Sequence, residues 1–281
     1  YRLPAELAPY SRKHALPDSL LGGELVDPMI REWIWQLIFG GNMRSANTPA
    51  VSRSGRVFVV GSSDEPGIGA LFGLDIDTAA TPYTISAAFI TKIGIGSGSS
   101  PALSPSEHQV YVSDEDGWLY AIDSVSGAIT WKVQTAAAAG AAAVGEDGTV
   151  YALQEYPAPA IVAVSPKGNI LWQSDTTSLL DAMPSSLLLG DAATVASGNP
   201  AVTRDAVLVP VNFSYPVPFT SITIPTRAAV IALDRNTGKA LKEVVSLKDD
   251  SSGITAVLPD GTLVNSIGSV VSSATGPLKP L

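Results

Sequence analysis

The sequence predicts an all-β chain of repeated four-stranded units, and three observations carry that expectation. Five segments share a small-residue entry, a tight polar turn and an apolar exit. A second pattern, an apolar strand ending in Asp, a short turn and another strand, follows most of them. The composition is globular: 46% apolar and 15% charged residues, with 25 glycines and 21 prolines dispersed along the chain. Units of this size and pattern, set around an axis, are the blades of a β-propeller.

The inner half of each unit comes first. The five copies span 49–59, 101–112, 143–151, 200–209 and 256–264. Marked by Ala50, Ala102, Ala143, Ala201 and Ala256, they recur roughly every 40 to 60 residues, the length of one blade. Asp147-Gly148 and Asp260-Gly261 are hairpin signals, because glycine enters the left-handed region without a Cβ clash. Pro and Ala at the first strand suit the crowded axis. The second strand is β-branched and aromatic.

The outer half is clearest at Leu119-Tyr120-Ala121-Ile122-Asp123, followed by Ser126-Gly127 and Trp131. Weaker copies are 161–172, with Gly168 and Trp172, and 230–241, with Asp234 and Gly238; 71–78 is degenerate. The Asp bonds turn N–H groups, Gly takes the left-handed position, and Trp is expected to cover the neighbouring sheet with its indole N–H reaching a carbonyl. Ala121-Ile122-Asp123, Ser126-Gly127 and Trp131 resemble the repeat of quinoprotein-type (PQQ-like repeat) β-propellers. That family includes pyrroloquinoline-quinone alcohol dehydrogenases and the propeller lipoprotein of the outer-membrane assembly machine. The resemblance covers about residues 20 to 270 and bears on fold, because the motif is a turn and docking element.

Four inner–outer pairs lie between about residues 46 and 247; the fifth inner pair, 253–270, lacks an outer one. Gly23–Pro28 and Arg31–Leu37 read as that missing half. The expected architecture is therefore five four-stranded blades, closed by N-terminal strands, with Trp33 and Trp35 on one face of the closing blade. Closure removes exposed sheet edges. A piece of a larger propeller is the rival reading. Residues 1–19 form an irregular arm and 20–281 a single propeller domain. The chain opens at Tyr1 without a signal-type segment, as a mature or trimmed product does.

Long loops are expected at 62–69, 175–198 and 212–226, all on one face, with the last two close together. Leu187, Leu188 and Leu189 in one, and Phe213, Tyr215, Val217 and Phe219 in the other, are the candidate partner-binding residues. Two readings stand: an apolar patch that docks a protein, or loops that bury each other.

Chemistry is sparse. The chain has no cysteine, which excludes disulfides and thiol catalysis, and only His14 and His108, which argues against a multi-histidine metal centre. The net charge of −9 argues against nucleic-acid binding. No apolar run spans a membrane. Residues 1–60 are net basic and the rest acidic. Asp114-Glu115-Asp116-Gly117 could ligate calcium, though Asp-Gly is ordinary turn chemistry. Gly94–Ser100 is glycine-rich but precedes a strand, where a phosphate cradle precedes a helix. Asn212-Phe213-Ser214 is a glycosylation triplet. The resemblance implies, for the family's dehydrogenases, a quinone, a calcium site, a catalytic aspartate and often an adjacent-cysteine disulfide. No stretch here matches those motifs, so no cofactor residue is assigned. The reading is a non-catalytic scaffold for protein–protein interaction, accessory to an assembly. The resemblance implies an extracytoplasmic location. A quinoprotein-like oxidoreductase, or a small-ligand or glycan binder with an axial site, is the alternative.

Overall fold

The computed structural model describes residues 48–65, 68–95, 99–114, 116–135, 141–154, 160–174, 193–195, 199–216, 223–247, 255–265 and 267. Every regular element among them is a strand, and no helix there is long and apolar enough to cross a membrane. The chain divides into two compact units, Tyr1–Gln134 and Thr135–Leu281.

The first unit holds two blades. Blade 1 runs through β1 (Ala50–Val51), β2 (Val57–Ser62), β3 (Ile68–Asp77) and β4 (Thr84–Ile95). Blade 2 runs through β5 (Ala102–Leu103), β6 (Gln109–Ser113), β7 (Trp118–Asp123) and β8 (Ile129–Gln134). Each is an antiparallel meander paired in sequence order. The middle strands are apolar on both faces because each is covered twice. Phe58, Val60, Leu71 and Ile93 of blade 1 pack on Val110, Val112, Tyr120 and Ile122 of blade 2. Outer strands alternate instead, as β8 does with partly buried Trp131 between exposed neighbours.

The second unit repeats the plan. Blade 3 comprises β9 (Ala143–Val144), β10 (Val150–Gln154), β11 (Ala160–Val164) and β12 (Ile170–Gln173). Blade 4 contains β13 (Ala193–Val195), β14 (Ala201–Val202), β15 (Ala206–Pro216), β16 (Thr223–Asp234) and β17 (Ala240–Leu247). Tyr151, Leu153 and Ile161 pack on Val207, Val209, Ala229 and Ile231 to form its core. A two-stranded hairpin, β18 (Thr255–Val257) and β19 (Leu263–Asn265), follows. The arm 1–19, the closing strands 23–37 with Trp33 and Trp35, and hence closure of the ring, lie outside the described residues.

One register explains the aromatic content. Phe58, Tyr111 and Tyr151 stand on second strands, opposite Gly73, Ala121 and Ala163 on third strands. Those small residues stand opposite Phe89, Trp131 and Trp172 on fourth strands. Only a small residue in the middle lets two rings meet across it. The ring centroids lie 6.3, 5.8 and 5.8 Å apart, within stacking range. Gly73 is the tightest case, since a Cβ there would press into the Phe89 ring.

The outer turns form as the sequence implies. Asp123 Oδ1 accepts from Val125 N–H, Ser126 N–H and Ser126 O–H, and Gly127 takes φ 74°. Asp234 repeats this with Asn236, Thr237 and Gly238 at φ 70°. The fourth-strand aromatic of the preceding blade then lands on that glycine. Trp172 covers Gly238, and its Nε1–H donates to Arg235 O at 3.0 Å. Phe89 covers Gly127, and Thr91 Oγ1 donates to Gly127 O at 2.6 Å.

Candidate functional site

The structure corrects the expected loop at 212–226. Residues 212–216 and 223–226 are strand, and they extend the β15–β16 hairpin. Pro216, Pro218 and Pro225 suggested a loop, yet Pro216 and Pro225 sit within strands, and Pro218 lies outside the described residues. The register slips beside Pro225, between the Phe213↔Arg227 and Ser214↔Pro225 pairs, and Pro216 pairs with Thr223 at the end of the ladder. The pairing of β17 with β16 starts at Ala228↔Leu247 and runs to Leu233↔Ala240. Among the described residues, 223–227 therefore pair only with β15.

The ends of both insertions meet in this ribbon, because Ala193–Val195 pairs with Asn212–Ser214. Phe213 and Tyr215 lie in β15, where it pairs with Arg227 and Ile224 of β16. Asn212, of the glycosylation triplet, lies in the ladder between Val195 and Ala228. Leu187, Leu188, Leu189, Val217 and Phe219 lie outside the described residues.

At the first-turn end of blades 1 and 2, a groove of about 260 Å3 is lined by Ser52, Arg56, Phe58, Glu107, His108 and Ser124 among others. His108 lies in the turn between first and second strands, as expected. Glu107 takes φ 59°, where the matching turns have Gly55, Gly148 and Gly261. Its carboxylate accepts Arg53 N–H at 2.9 Å, and its carbonyl accepts Ser124 O–H at 2.6 Å. Arg56 is forked on Asp75 and donates to the Ser124 and Val125 carbonyls. These groups serve one another, so the groove reads as a brace between two blades.

At the opposite end lies a residue the sequence reading placed in an ordinary turn. Asp114 is fully buried. Its Oδ1 accepts Trp118 N–H at 2.9 Å and its Oδ2 accepts Tyr120 O–H at 2.8 Å. Burial pushes its carboxyl above the usual aspartate range, against the Trp118 and Tyr120 donors; the nearby Asp116 charge adds to the rise. Burial, then Asp114, pushes the Tyr120 phenol up as well. The sequence signal was available: a Ser-Asp pair directly continuing the apolar strand Val110-Tyr111-Val112, with a Tyr in the facing strand.

The described residues gather no group of three or more His, Asp or Glu able to hold a metal ion. A quinone paired with calcium calls for six to eight oxygen ligands about the ion. The described residues gather no such set of carboxylates.

No curated protein matches the chain in sequence. Among solved structures, a europium-containing methanol dehydrogenase superposes over 81% of this chain and 47% of its own, with a TM-score of 0.52 and 16% identity. That likeness shows the propeller fold. The quinohemoprotein alcohol dehydrogenase ADHIIG of Pseudomonas putida HK5 matches at TM-score 0.43 and 16% identity, covering 61% of this chain and 28% of that one. BamB from Moraxella catarrhalis matches at TM-score 0.41 and 14% identity, covering 79% and 73%. The chain thus spans less than half the length of both dehydrogenases. Residues 26–253 match the family model described as outer membrane protein assembly factor BamB, and with most of its length so covered the chain belongs to that family.

Proposed function

We propose that this chain is a non-catalytic propeller scaffold that docks a protein partner as an accessory subunit of an extracytoplasmic assembly. The observation that carries the reading is the family match over residues 26–253, since the family is described as an assembly factor of outer membrane proteins. The β13–β15–β16 ribbon offers the place. It extends beyond the pairing of β17 and brings the ends of the two apolar insertions into one sheet. Leu187, Leu188, Leu189, Phe213, Tyr215, Val217 and Phe219 are the contact residues of this proposal. Apolar and aromatic side chains at the centre of an interface supply most of its binding energy.

Site-specific photo-crosslinking in the native host tests this. The crosslinker is placed at Phe213, Tyr215 or Phe219, and, as control, at exposed Val125 on a blade 2 turn. The expected result is one partner protein captured from the ribbon positions and not from Val125. Equal capture at all positions, or none, would remove the ribbon from the proposal. Reduction of a dye by the purified chain with added quinone and calcium would instead favour the oxidoreductase alternative.

A further inference from the structure

The four larger sheets each end in an outer strand: β4, β8, β12 and β17. An outer edge offers unpaired backbone groups to any other strand, so folded chains blunt it with bulges and charges. All four ladders are irregular at the corresponding place, beside Leu74, Ile122, Val164 and Leu233. Three of the strands also carry charge: Lys92 in β4, Lys132 in β8, and Lys242 with Glu243 in β17. β12, Ile170-Leu171-Trp172-Gln173, carries none.

The bulged residue differs from strand to strand. In β4 it is Ala88, small and exposed. In β8 it is Thr130, whose hydroxyl donates to the Ala121 carbonyl at 3.0 Å. In β12 it is Leu171, 55% exposed, and beside it Ile170 is 47% exposed. The rest of β12 is committed within its own unit. Trp172 Nε1–H donates to Arg235 O at 3.0 Å, and Gln173 Nε2 donates to Gln154 Oε1 at 2.7 Å. Both flanks are tied: Asn169 N–H donates to Ser165 Oγ, and Ser174 N–H to Ile161 O. A well-anchored, uncharged edge thus presents two large apolar side chains in succession to water. An edge already held in place loses little freedom on pairing.

The sequence around Leu171 indicates what fits this edge. Read outward from Leu171, Ile170 matches Trp172, Asn169 matches Gln173, and Lys167 matches Asp175. A second copy of the segment, laid antiparallel with a two-fold axis at Leu171, sets each residue opposite its match. Apolar meets apolar, amide meets amide, and Lys167 of each copy meets Asp175 of the other. Cross-strand pairs of this kind stabilise a ladder, and like charges directly opposite would oppose it. The same operation on β8 brings two copies of Lys132 into one short ladder that contains no acid.

We propose that β12 is a self-complementary edge through which two copies of this chain pair antiparallel about Leu171. Such a contact uses the same surface on both copies, so it closes at a dimer and leaves nothing to propagate. The strand is short, so the interface is small and the dimer is weak, forming only at high protein concentration. The proposal stands independently of docking at the β13–β15–β16 ribbon, because none of its residues belongs to that ribbon.

Sedimentation equilibrium of the full chain, over a concentration series reaching the millimolar range, tests this. The expected result is a monomer–dimer equilibrium without larger species. Leu171→Lys sets two cations on the axis and removes the central apolar pair, so it should weaken the dimer at least about tenfold. Ala88→Lys, at the bulged position of β4, is the control and should leave association unchanged. Lys167→Asp and Asp175→Lys should each weaken the dimer about fivefold, since two symmetry-related pairs turn repulsive. Combining the two exchanges should restore it. Circular dichroism establishes that each variant is folded. A monomer at every concentration overturns the proposal, which is also the outcome if this edge serves a strand of another protein. So does open-ended growth, a dimer indifferent to Leu171→Lys, or a combined exchange that fails to restore association. Should Leu171→Lys not fold, the charge exchange decides alone, because it alters only residues outside the strand.

Discussion

At the seam between blades 3 and 4, one residue does two things. Trp172 lays its ring over Gly238 and hands its indole N–H to the Arg235 carbonyl. At the seam between blades 1 and 2 those roles are separate. Phe89 supplies the ring over Gly127, and Thr91, two positions on along β4, supplies the hydrogen bond to the Gly127 carbonyl. The arginines differ in the same way. Arg235 reaches from the blade 4 turn back to Tyr151 Oη and Asp147 of blade 3. Arg56 reaches from blade 1 forward to two carbonyls of the blade 2 turn, anchored by Asp75 in its own blade. What is shared is the geometry of a ring on a left-handed glycine beside a bonded carbonyl. The residue types are free to vary so long as both parts are supplied.

The largest effects should come from filling the glycine under the ring. Gly238→Ala and Gly127→Ala each place a methyl inside the covering ring and add left-handed strain. Each is expected to cost about 3 kcal/mol or more, from overpacking together with backbone strain. Gly55→Ala is the control. Its φ is 89°, but nothing lies within contact of the added carbon, so only the conformational cost of about 1 kcal/mol remains. Urea unfolding midpoints read the difference. Equal losses at Gly55 and Gly238 would show that the ring yields and that the seam is not built on this contact.

The next effect separates the two parts of the seam. Trp172→Phe keeps most of the ring and removes the N–H, while Thr91→Val keeps the shape and removes the hydroxyl. Each leaves one carbonyl without that donor, so both should cost about 1 kcal/mol. A loss confined to Trp172→Phe would mean that the hydroxyl of Thr91 is not the functional replacement for the indole.

The legibility of the molecule follows the same division. Gly238 and Asp234 could be read because their spacing reports a local turn, and Trp172 because it follows such a turn, at Gly168, in its own blade. Phe89 could not be read in that way, since its blade's copy, 71–78, has no glycine turn ahead of it. The ribbon was misread because prolines at 216, 218 and 225 mark loops in isolated chains, whereas strands run through 216 and 225 here, with a register slip beside Pro225. Asp114 was legible as a turn residue and not as a buried one. Burial depends on Gly94 and Tyr120 closing over it, which is a tertiary matter.

A smaller effect concerns the brace at the opposite end. Glu107→Gly should relieve the left-handed strain of φ 59° and forfeit the bond from Arg53 N–H. Strain relief of about 1 kcal/mol and loss of an exposed hydrogen bond of similar size nearly cancel, so the unfolding free energy should change by no more than about 0.5 kcal/mol. Glu107→Ala keeps the strain and loses the bond, and should be the worse of the two. The reverse order would show that the left-handed backbone at 107 holds no strain for glycine to relieve.

The smallest differences separate the turn aspartates of the two seams from the buried Asp114. Hydrogen bonds from Ser126 hold the Asp123 carboxyl below its usual range, and the Thr237 hydroxyl and N–H do the same for Asp234. A lowered folded value means stability that is present above the unfolded value and lost as pH falls through the folded one. Asp114 has the opposite sign. Acid should therefore weaken the turns of blades 2 and 4 alike, while inside blade 2 a second group titrates against that trend. Asp123→Asn and Asp234→Asn should each flatten the acid side of the stability curve slightly. Asp114→Asn should steepen it, because the term that opposes acid loss is gone. If all three variants shift the acid limb in one direction, the contrast between exposed turn and buried carboxylate fails. Asp114 would then be one more turn aspartate.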